Sequence, residues 1–436
     1  MRRVLRSSVL TLAAISAVAV SGCSSEPQVD DIFSAGGWPG IHADARNSDT
    51  SPVTGSRDIS LAWSRPIGGP VAAYASVAAN GQIFLTSRTE KGCNLFSFQM
   101  ESGRKRWCRQ LNPGVVASTP IVDGAANVYV GESGAMNSFN EHGQLRWRTP
   151  VVGTPLSAQF TGDGHLLFIT QLGQINVLDT QTGQKVVAPY DLIPPPSATD
   201  GAAGVAVLPD DKGLNTCFFG SSECPVANTP AIDLESGKFY FTFFAPGAPV
   251  AELVAMKYSG GDDPAITQEW SSDTLPGGSA ASPDLSADGS VVYTNDNEGK
   301  LWALDTETGD TRWSYDIGFA AAGSPSTSAE GILIPAGGAG GHLLALQDNG
   351  DQAELLWERK DLLQLGVPAQ TEGSTGYTVV REGDDGLALI TFDTSTGETL
   401  DQDTLPGATG FTVGTSIGPK GEVLTPTLIG ELFVLR

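Results

Sequence analysis

Positive charge is scarce in this chain. Its 436 residues hold 25 Lys and Arg against 49 Asp and Glu, for a net charge of −24. Nucleic-acid binding draws on clustered cations that neutralise phosphates, so no nucleic-acid partner is expected. Four His and four Met leave little material for a metal centre, and none is expected. No apolar run reaches the ~20 residues that cross a bilayer as a helix. The spacings of a zinc-protease helix and of a phosphate-binding loop are also missing.

Turn formers and apolar residues are what the chain has in quantity. It carries 53 Gly and 27 Pro, while charged residues are only 17% and hydrophobic ones 40%. That composition excludes disorder, a coiled coil and a mainly helical fold, and leaves a turn-rich, acidic β protein.

The N-terminus reads as an address. Arg2, Arg3 and Arg6 precede a mostly apolar stretch from Val9 to Val20, which ends in Val20-Ser21-Gly22-Cys23. This is the anatomy of an export signal closed by a bacterial lipobox, with Cys23 as the sulfur that takes the lipid. Residues 1–22 are expected to be the lipoprotein signal peptide and 23–36 a lipidated tether. Their removal deletes three arginines and no acid, taking the net charge from −24 to −27. Each buried lipid methylene contributes about 0.8 kcal/mol, so a multiply acylated Cys23 would anchor the chain at the extracytoplasmic face of the bacterial membrane or envelope.

Cysteine usage fits that compartment. Besides Cys23 there are Cys93, Cys108, Cys217 and Cys224. Three connectivities are possible, and local spacing favours Cys93–Cys108 across a hairpin and Cys217–Cys224 within a loop. A four-thiolate zinc site would want a C-x2-C spacing that is absent.

Repetition decides the fold. Residues 281–313 read as four short strands separated by turns, and the frame recurs along the chain. Turn glycines fall at Gly81, Gly124, Gly164, Gly237, Gly289, Gly331, Gly373 and Gly421. A second signature, seen in Leu304-Asp305-Thr306-Glu307-Thr308-Gly309, precedes the fourth strand: Asp caps the turn and Gly supplies the positive φ. Trp63, Trp107, Trp147, Trp270, Trp313 and Trp357 recur at similar phase in that outer strand. A four-stranded unit cannot cover both its faces alone. Eight of them in a ring can, so an all-β, eight-bladed β-propeller is expected over 37–436. The last unit stops after three strands, and Leu61-Ala62-Trp63 is the strand that would complete it and close the ring. The propeller is expected to be monomeric.

The Asp-x-x-Thr-Gly-x-x-x-Trp turn, the eight-fold count and the lead-in Gly37-Trp38-Pro39-Gly40 with Asp44-Ala45-Arg46-Asn47-Ser48 resemble the pyrroloquinoline-quinone-type (PQQ-like) propeller repeat. That superfamily holds both quinoprotein dehydrogenases and non-enzymatic scaffolds. Among the latter, the chain is similar to the lipidated propellers of the outer-membrane β-barrel assembly machinery. The resemblance implies the fold and leaves function between these two.

The dehydrogenase alternative implies an adjacent Cys–Cys pair beside the quinone and a calcium held by acidic and amide ligands. The chain has no such pair. Asn295-Asp296-Asn297-Glu298-Gly299 reads as a hairpin turn rather than a calcium loop, because the spaced ligands and distal Glu are absent. Gly337-Gly338-Ala339-Gly340-Gly341 joins two strands, which suits a wide loop rather than a phosphate cradle. His42, His142, His165 and His342 are scattered, with His142 and His165 at solvated turns. No catalytic, cofactor or metal residue is therefore expected. A small-molecule propeller enzyme of another kind stays open, since its site would be assembled from separated residues. The one distinctive addition is an insertion at about 187–228, with Ile193-Pro194-Pro195-Pro196 and the Cys217/Cys224 pair. It is read as a rigidified recognition loop, against the alternative of a decoration on one blade. The expected function is a membrane-anchored, non-enzymatic scaffold that binds envelope or membrane proteins.

Overall fold

The computed structural model describes residues 37–89, 92–194, 213–214, 216–217 and 220–436. Cys23, the signal peptide and the tether lie outside the described residues, as do Pro195, Pro196 and most of the insertion up to residue 212. Within them the chain forms eight sheets of four antiparallel strands, one of which takes a parallel fifth strand, arranged as the blades of a propeller. Blades 1 to 7 span 76–109, 121–150, 159–191, 231–275, 284–316, 326–363 and 369–409. Blade 8 takes three strands from 416–435 and its fourth from Leu61–Pro66. That last pairing runs from Leu61 opposite Leu435 to Pro66 opposite Glu431, so the N-terminal strand closes the ring.

The pattern of burial follows from position in a blade. Second and third strands such as Gln82–Thr86, Val128–Glu132 and Ala135–Phe139 are buried at nearly every residue, since neighbouring blades cover both faces. Outer strands alternate or stay exposed, as in Lys105–Arg109. The hydrophobic core is accordingly a series of layers between blades. One joins Tyr129, Met136 and Trp147 of blade 2 to Phe160, Leu166 and Phe168 of blade 3. The largest joins blades 7, 8 and 1 through Tyr377, Leu389, Phe433, Val434 and Ile83.

The turn signatures in the sequence are interface parts. Trp63, Trp107, Trp147, Trp270 and Trp357 each donate the indole N–H to a carbonyl in the next blade's turn, at 2.7–3.0 Å. Each ring also lies against that turn's glycine. A β-carbon at Gly103, Gly143, Gly183, Gly309 or Gly397 would stand 2.5–2.8 Å from ring atoms. Trp313 reaches a turn of different sequence and donates to the Asp348 carboxylate instead, at 2.9 Å. Seven of the eight first-turn glycines take positive φ, and Gly124 does not. In blade 2 the left-handed residue is Ala126 (φ 59°), two positions after Gly124, because Asp123 accepts the N–H groups of Ala125 and Asn127 and sets the turn.

The insertion also begins later than its sequence suggests. Tyr190–Asp191 pairs with Gln174 and Ile175 as the outer strand of blade 3, and Val187, Leu192 and Ile193 pack on the layer between blades 3 and 4. Cys93 is bonded to Cys108 across the hairpin of blade 1, and Cys217 to Cys224 within the insertion.

Candidate functional site

The lead-in segment 37–54 does not lie outside the ring. It runs across one end of the central bore and bonds to the innermost strands in order. Trp38 bridges Val77 of blade 1, and the Pro39 carbonyl accepts from Val122 of blade 2. Gln159 of blade 3 donates its side-chain N–H to Asn47 Oδ1 at 2.7 Å. The carbonyls of Ala45, Arg46, Ser48 and Asp49 then accept the N–H groups of Ile232, Leu285, Thr327 and Gln370 of blades 4 to 7, at 2.6–3.0 Å. Thr50–Thr54 finishes as a parallel strand on Ala369–Glu372.

A chain that offers successive carbonyls to successive blades must turn sharply, and it does so with three non-glycine residues at positive φ: Ala43 (68°), Asn47 (62°) and Asp49 (50°). Left-handed non-glycine backbone persists only where its surroundings over-determine it. Asp44 holds the turn by accepting the N–H groups of Arg46 and Ser48, both at 3.0 Å. Asn47 donates to the carbonyls of Thr229 (3.1 Å) and Pro283 (2.8 Å) and so ties blades 4 and 5 to the plug.

Behind this plug lies a cavity of about 200 Å³ on the ring axis. Ile41 and His42 line it from the plug. Tyr74, Thr119, Ser157, Thr229, Ser282 and Ser324 come from the approaches to six inner strands. Leu214 and Cys217 of the insertion and Phe411 line it from the other end. The insertion is thus packed on the axis: Cys217 and Cys224 are buried against Leu156, and Gly220 sits so close to Ser279 that a β-carbon would strike its carbonyl. Phe411, 43% exposed, marks the rim where the cavity reaches solvent.

His42, which no local sequence pattern singles out, is the centre of the site. Its Nδ1 lies 2.8 Å from Asp49 Oδ2 and its Nε2 lies 2.9 Å from Ser282 Oγ, with Ser324 Oγ at 3.4 Å. His42 and Asp49 are 2% and 0% exposed. Burial pushes the Asp49 carboxyl up to about 6, although the facing imidazole pulls the other way and Asp44 adds repulsion. Burial also holds the Tyr74 phenol well above its usual value, so it stays a hydrogen-bond donor. Its ring lies 5.4 Å from the imidazole. The buried Asp284 nearby is likewise pushed well up by burial.

The other histidines serve packing or solvent. His142 is exposed on its turn. His165 is half-buried, with Nδ1 3.1 Å from Asp163 and 3.0 Å from Tyr258 Oη of blade 4, which corrects the expectation of simple solvation. His342 pairs with Glu358 at 2.7 Å and leans on Phe319. The 295–299 string is a hairpin turn in which Asp296 accepts from Glu298 N, Lys300 N and the Trp302 indole. Gly337 and Gly338 line the axial cavity. Gly414-Thr415-Ser416-Ile417-Gly418 has the spacing of a nucleophile elbow, yet Ser416 is buried in the inner strand of blade 8 and donates to the Ala75 carbonyl at 2.9 Å.

The cavity does not fit a quinone of the PQQ type. That group carries three carboxylates, and among the described residues the lining holds no Lys or Arg to balance them. Cys217 and Cys224 are seven apart, not adjacent, and the described residues hold no cluster of acidic side chains suited to a metal.

Residues 51–188 and 263–419 match the family model described as outer membrane protein assembly factor BamB. Protein Rv3035 of Mycobacterium tuberculosis is 37% identical over 419 residues, covering 95% of this chain and 99% of the relative. Among solved structures, BamB from Moraxella catarrhalis superposes with a TM-score of 0.58 at 16% identity, over 87% of this chain and 100% of that one. Quinohemoprotein alcohol dehydrogenase from Comamonas testosteroni gives 0.64 at 14% identity, over 92% and 80%. At these identities the two structures establish the shared propeller and nothing about its task.

Proposed function

The chain belongs to the family of the outer membrane protein assembly factor BamB, and from that membership we propose that it is an extracytoplasmic, membrane-tethered propeller that scaffolds an envelope protein complex. The observation that carries this reading is the axial lining, whose described residues offer a quinone neither Lys or Arg counter-charges nor a metal site. With quinone chemistry disfavoured, what the family model and the fold leave is a rigid ring with two loop faces. Two disulfides suit an oxidising compartment. A lipid on Cys23 would confine the ring to a thin layer at the membrane and raise its effective concentration for partners there. The net acidic charge selects basic or neutral partner surfaces and disfavours anionic lipid.

The test is affinity capture from membranes with the full chain and with Cys23→Ala. The wild type should be acylated and should retain a defined set of envelope proteins. The variant should lose the fatty-acid label and most of that set while keeping the melting temperature of wild type. Equal labelling of both proteins would sink the anchor. Stoichiometric quinone in the purified protein, with dye-linked alcohol oxidation, would restore the dehydrogenase.

A further inference from the structure

Asp49, His42 and Ser282 form a continuous hydrogen-bonded chain, carboxylate to imidazole to hydroxyl, at the plug end of the axial cavity. His42 and Asp49 come from the plug and Ser282 from the approach to blade 5, 240 residues after His42. We infer that Ser282 is a nucleophile activated by His42, with Asp49 as its positioning residue, and that the axial cavity takes the acyl group of a short, uncharged ester.

Geometry comes first. Asp49 Oδ2 accepts the Nδ1–H of His42 and so fixes the tautomer whose Nε2 is free to receive the Ser282 proton, 2.9 Å away. The imidazole cannot swing out, because Asp49 and Tyr74 hold it on one side and the two serines on the other. The Thr229 N–H points at Ser282 Oγ from 3.1 Å and fixes where that oxygen sits. Backbone strain is concentrated in the same few residues: Ala43 and Asp49 both have positive φ. Such strain gathers at sites where a side chain must be held in one place.

The ligand class follows from the walls. Ala73, Leu156, Leu365 and Val413 are apolar, and the described lining residues include no Lys, Arg, Asp or Glu. A charged substrate would be desolvated there without a partner, at a cost of several kcal/mol. A neutral ester loses no such hydration, and about 200 Å³ holds a short acyl chain.

In the reaction, Ser282 Oγ forms a bond to the ester carbonyl carbon while its proton passes to His42 Nε2. Hydroxyls of the same lining, Tyr74 and Ser324 among them, would supply O–H donors to the developing oxyanion. The tetrahedral species collapses, the bond to the leaving alcohol breaks, and the alcohol takes the proton from Nε2. Water then attacks the acyl-serine and gives its proton to His42. The carboxylic acid leaves, and the proton returns to Ser282 Oγ.

The test treats the purified full chain with a fluorophosphonate probe and, separately, with p-nitrophenyl butyrate. Peptide mapping should place the probe on Ser282, and Ser282→Ala should abolish both labelling and the release of nitrophenolate. His42→Gln should slow labelling at least ~100-fold. Because His42 also pins the plug, near-UV circular dichroism must match wild type for that comparison to count; if it does not, the Ser282→Ala result and the mapped site decide. Asp49→Asn should lower the rate by a similar factor and remove the pH inflection set by Asp49, which faces His42 and Asp44 on its own segment, Tyr74 of blade 1 and Asp284 of blade 5. A purely structural carboxylate would leave the profile of the residual rate unchanged. A probe that leaves Ser282 unmodified at neutral pH, or that labels folded His42→Gln at the wild-type rate, overturns the inference. The scaffold reading is separately testable, since membrane capture does not depend on Ser282.

Discussion

The Trp147 indole of blade 2 lies against Gly183 of blade 3 and donates its N–H to the Thr180 carbonyl of the same turn at 3.0 Å. One turn thereby satisfies the indole nitrogen and accepts the ring face, and it can do so only because position 183 has no β-carbon. Gly183 also has φ 71°, so two demands fall on one residue.

Those demands separate in a paired substitution. Gly183→Ala would place a methyl 2.5 Å from the ring in a backbone region that Ala avoids, and should cost about 2–4 kcal/mol in chemical denaturation. Gly289→Ala has φ 70° but nothing within 4 Å, so it should cost only about 1–2 kcal/mol. Equal losses would show that the Trp–Gly contact adds nothing beyond backbone conformation.

Ring closure should be felt at the C-terminus. Leu432, Phe433, Val434 and Leu435 are fully buried, and their strand pairs on one side with Leu61–Pro66. Phe433→Ala should cost about 3–5 kcal/mol. Deleting 432–436 should also free the N-terminal strand, exposing Trp63 and quenching or red-shifting its fluorescence. A truncated protein that melts within a degree of wild type would mean the ring is held elsewhere.

The His165–Asp163 pair sets a pH window. The Asp163 hydrogen bond raises the His165 pKa against the opposing effect of burial. Partial burial would raise Asp163, but hydrogen bonds from His165 and Thr161 outweigh it and bring it down to about 2. The raised His contributes below its unfolded value of 6.5 and is lost as pH rises through its folded one; the lowered Asp contributes above 3.8 and is lost as pH falls. Both are present between about 4 and 6.5. The side chains are 24% and 38% exposed, so solvent screening limits the pair's effect to about 1 kcal/mol or less. The stability gap between wild type and His165→Gln should therefore be wider at pH 5.5 than at pH 8.5, read from urea midpoints. A gap that widened toward pH 8.5 would contradict the pairing.

The sequence made the ring legible because repetition samples the same physics many times. Six tryptophans in one phase, glycines at two fixed turns and a missing outer strand at one end can be counted. The axial site is made once. His42, Asp49 and Ser282 come together only when the lead-in crosses the bore, a path that no local pattern specifies. One signal was present: Thr229-Pro230, Ser282-Pro283 and Ser324-Pro325 put a hydroxyl before the inner strand of blades 4, 5 and 6. The insertion was legible as an addition, but its return to the axis depends on Leu214, Cys217 and Cys224 packing against Leu156 and Ala117, contacts far apart in sequence.

The plug supplies the last prediction, at Asn47. The residue is fully buried at φ 62°, a conformation Asn adopts more readily than Ala. Its amide donates to Thr229 O and Pro283 O and accepts from Gln159 Nε2, joining blades 3, 4 and 5 to the lead-in. Asn47→Ala takes this partner from two buried carbonyls, each costing about 1–3 kcal/mol before relaxation, while the Gln159 amide keeps its bond to the Asp44 carbonyl. Water entering the space left by the side chain would recover part of that, so a net loss of about 3–4 kcal/mol is expected. Asn47→Asp keeps the backbone preference but turns the donor into an acceptor facing two carbonyls, and should be at least as harmful. Asn47→Gly relieves the φ strain without restoring the bonds, and should recover only about 1 kcal/mol of the alanine loss. Full recovery by glycine, measured by denaturant unfolding, would mean that backbone conformation and not the three-blade clasp is what Asn47 provides.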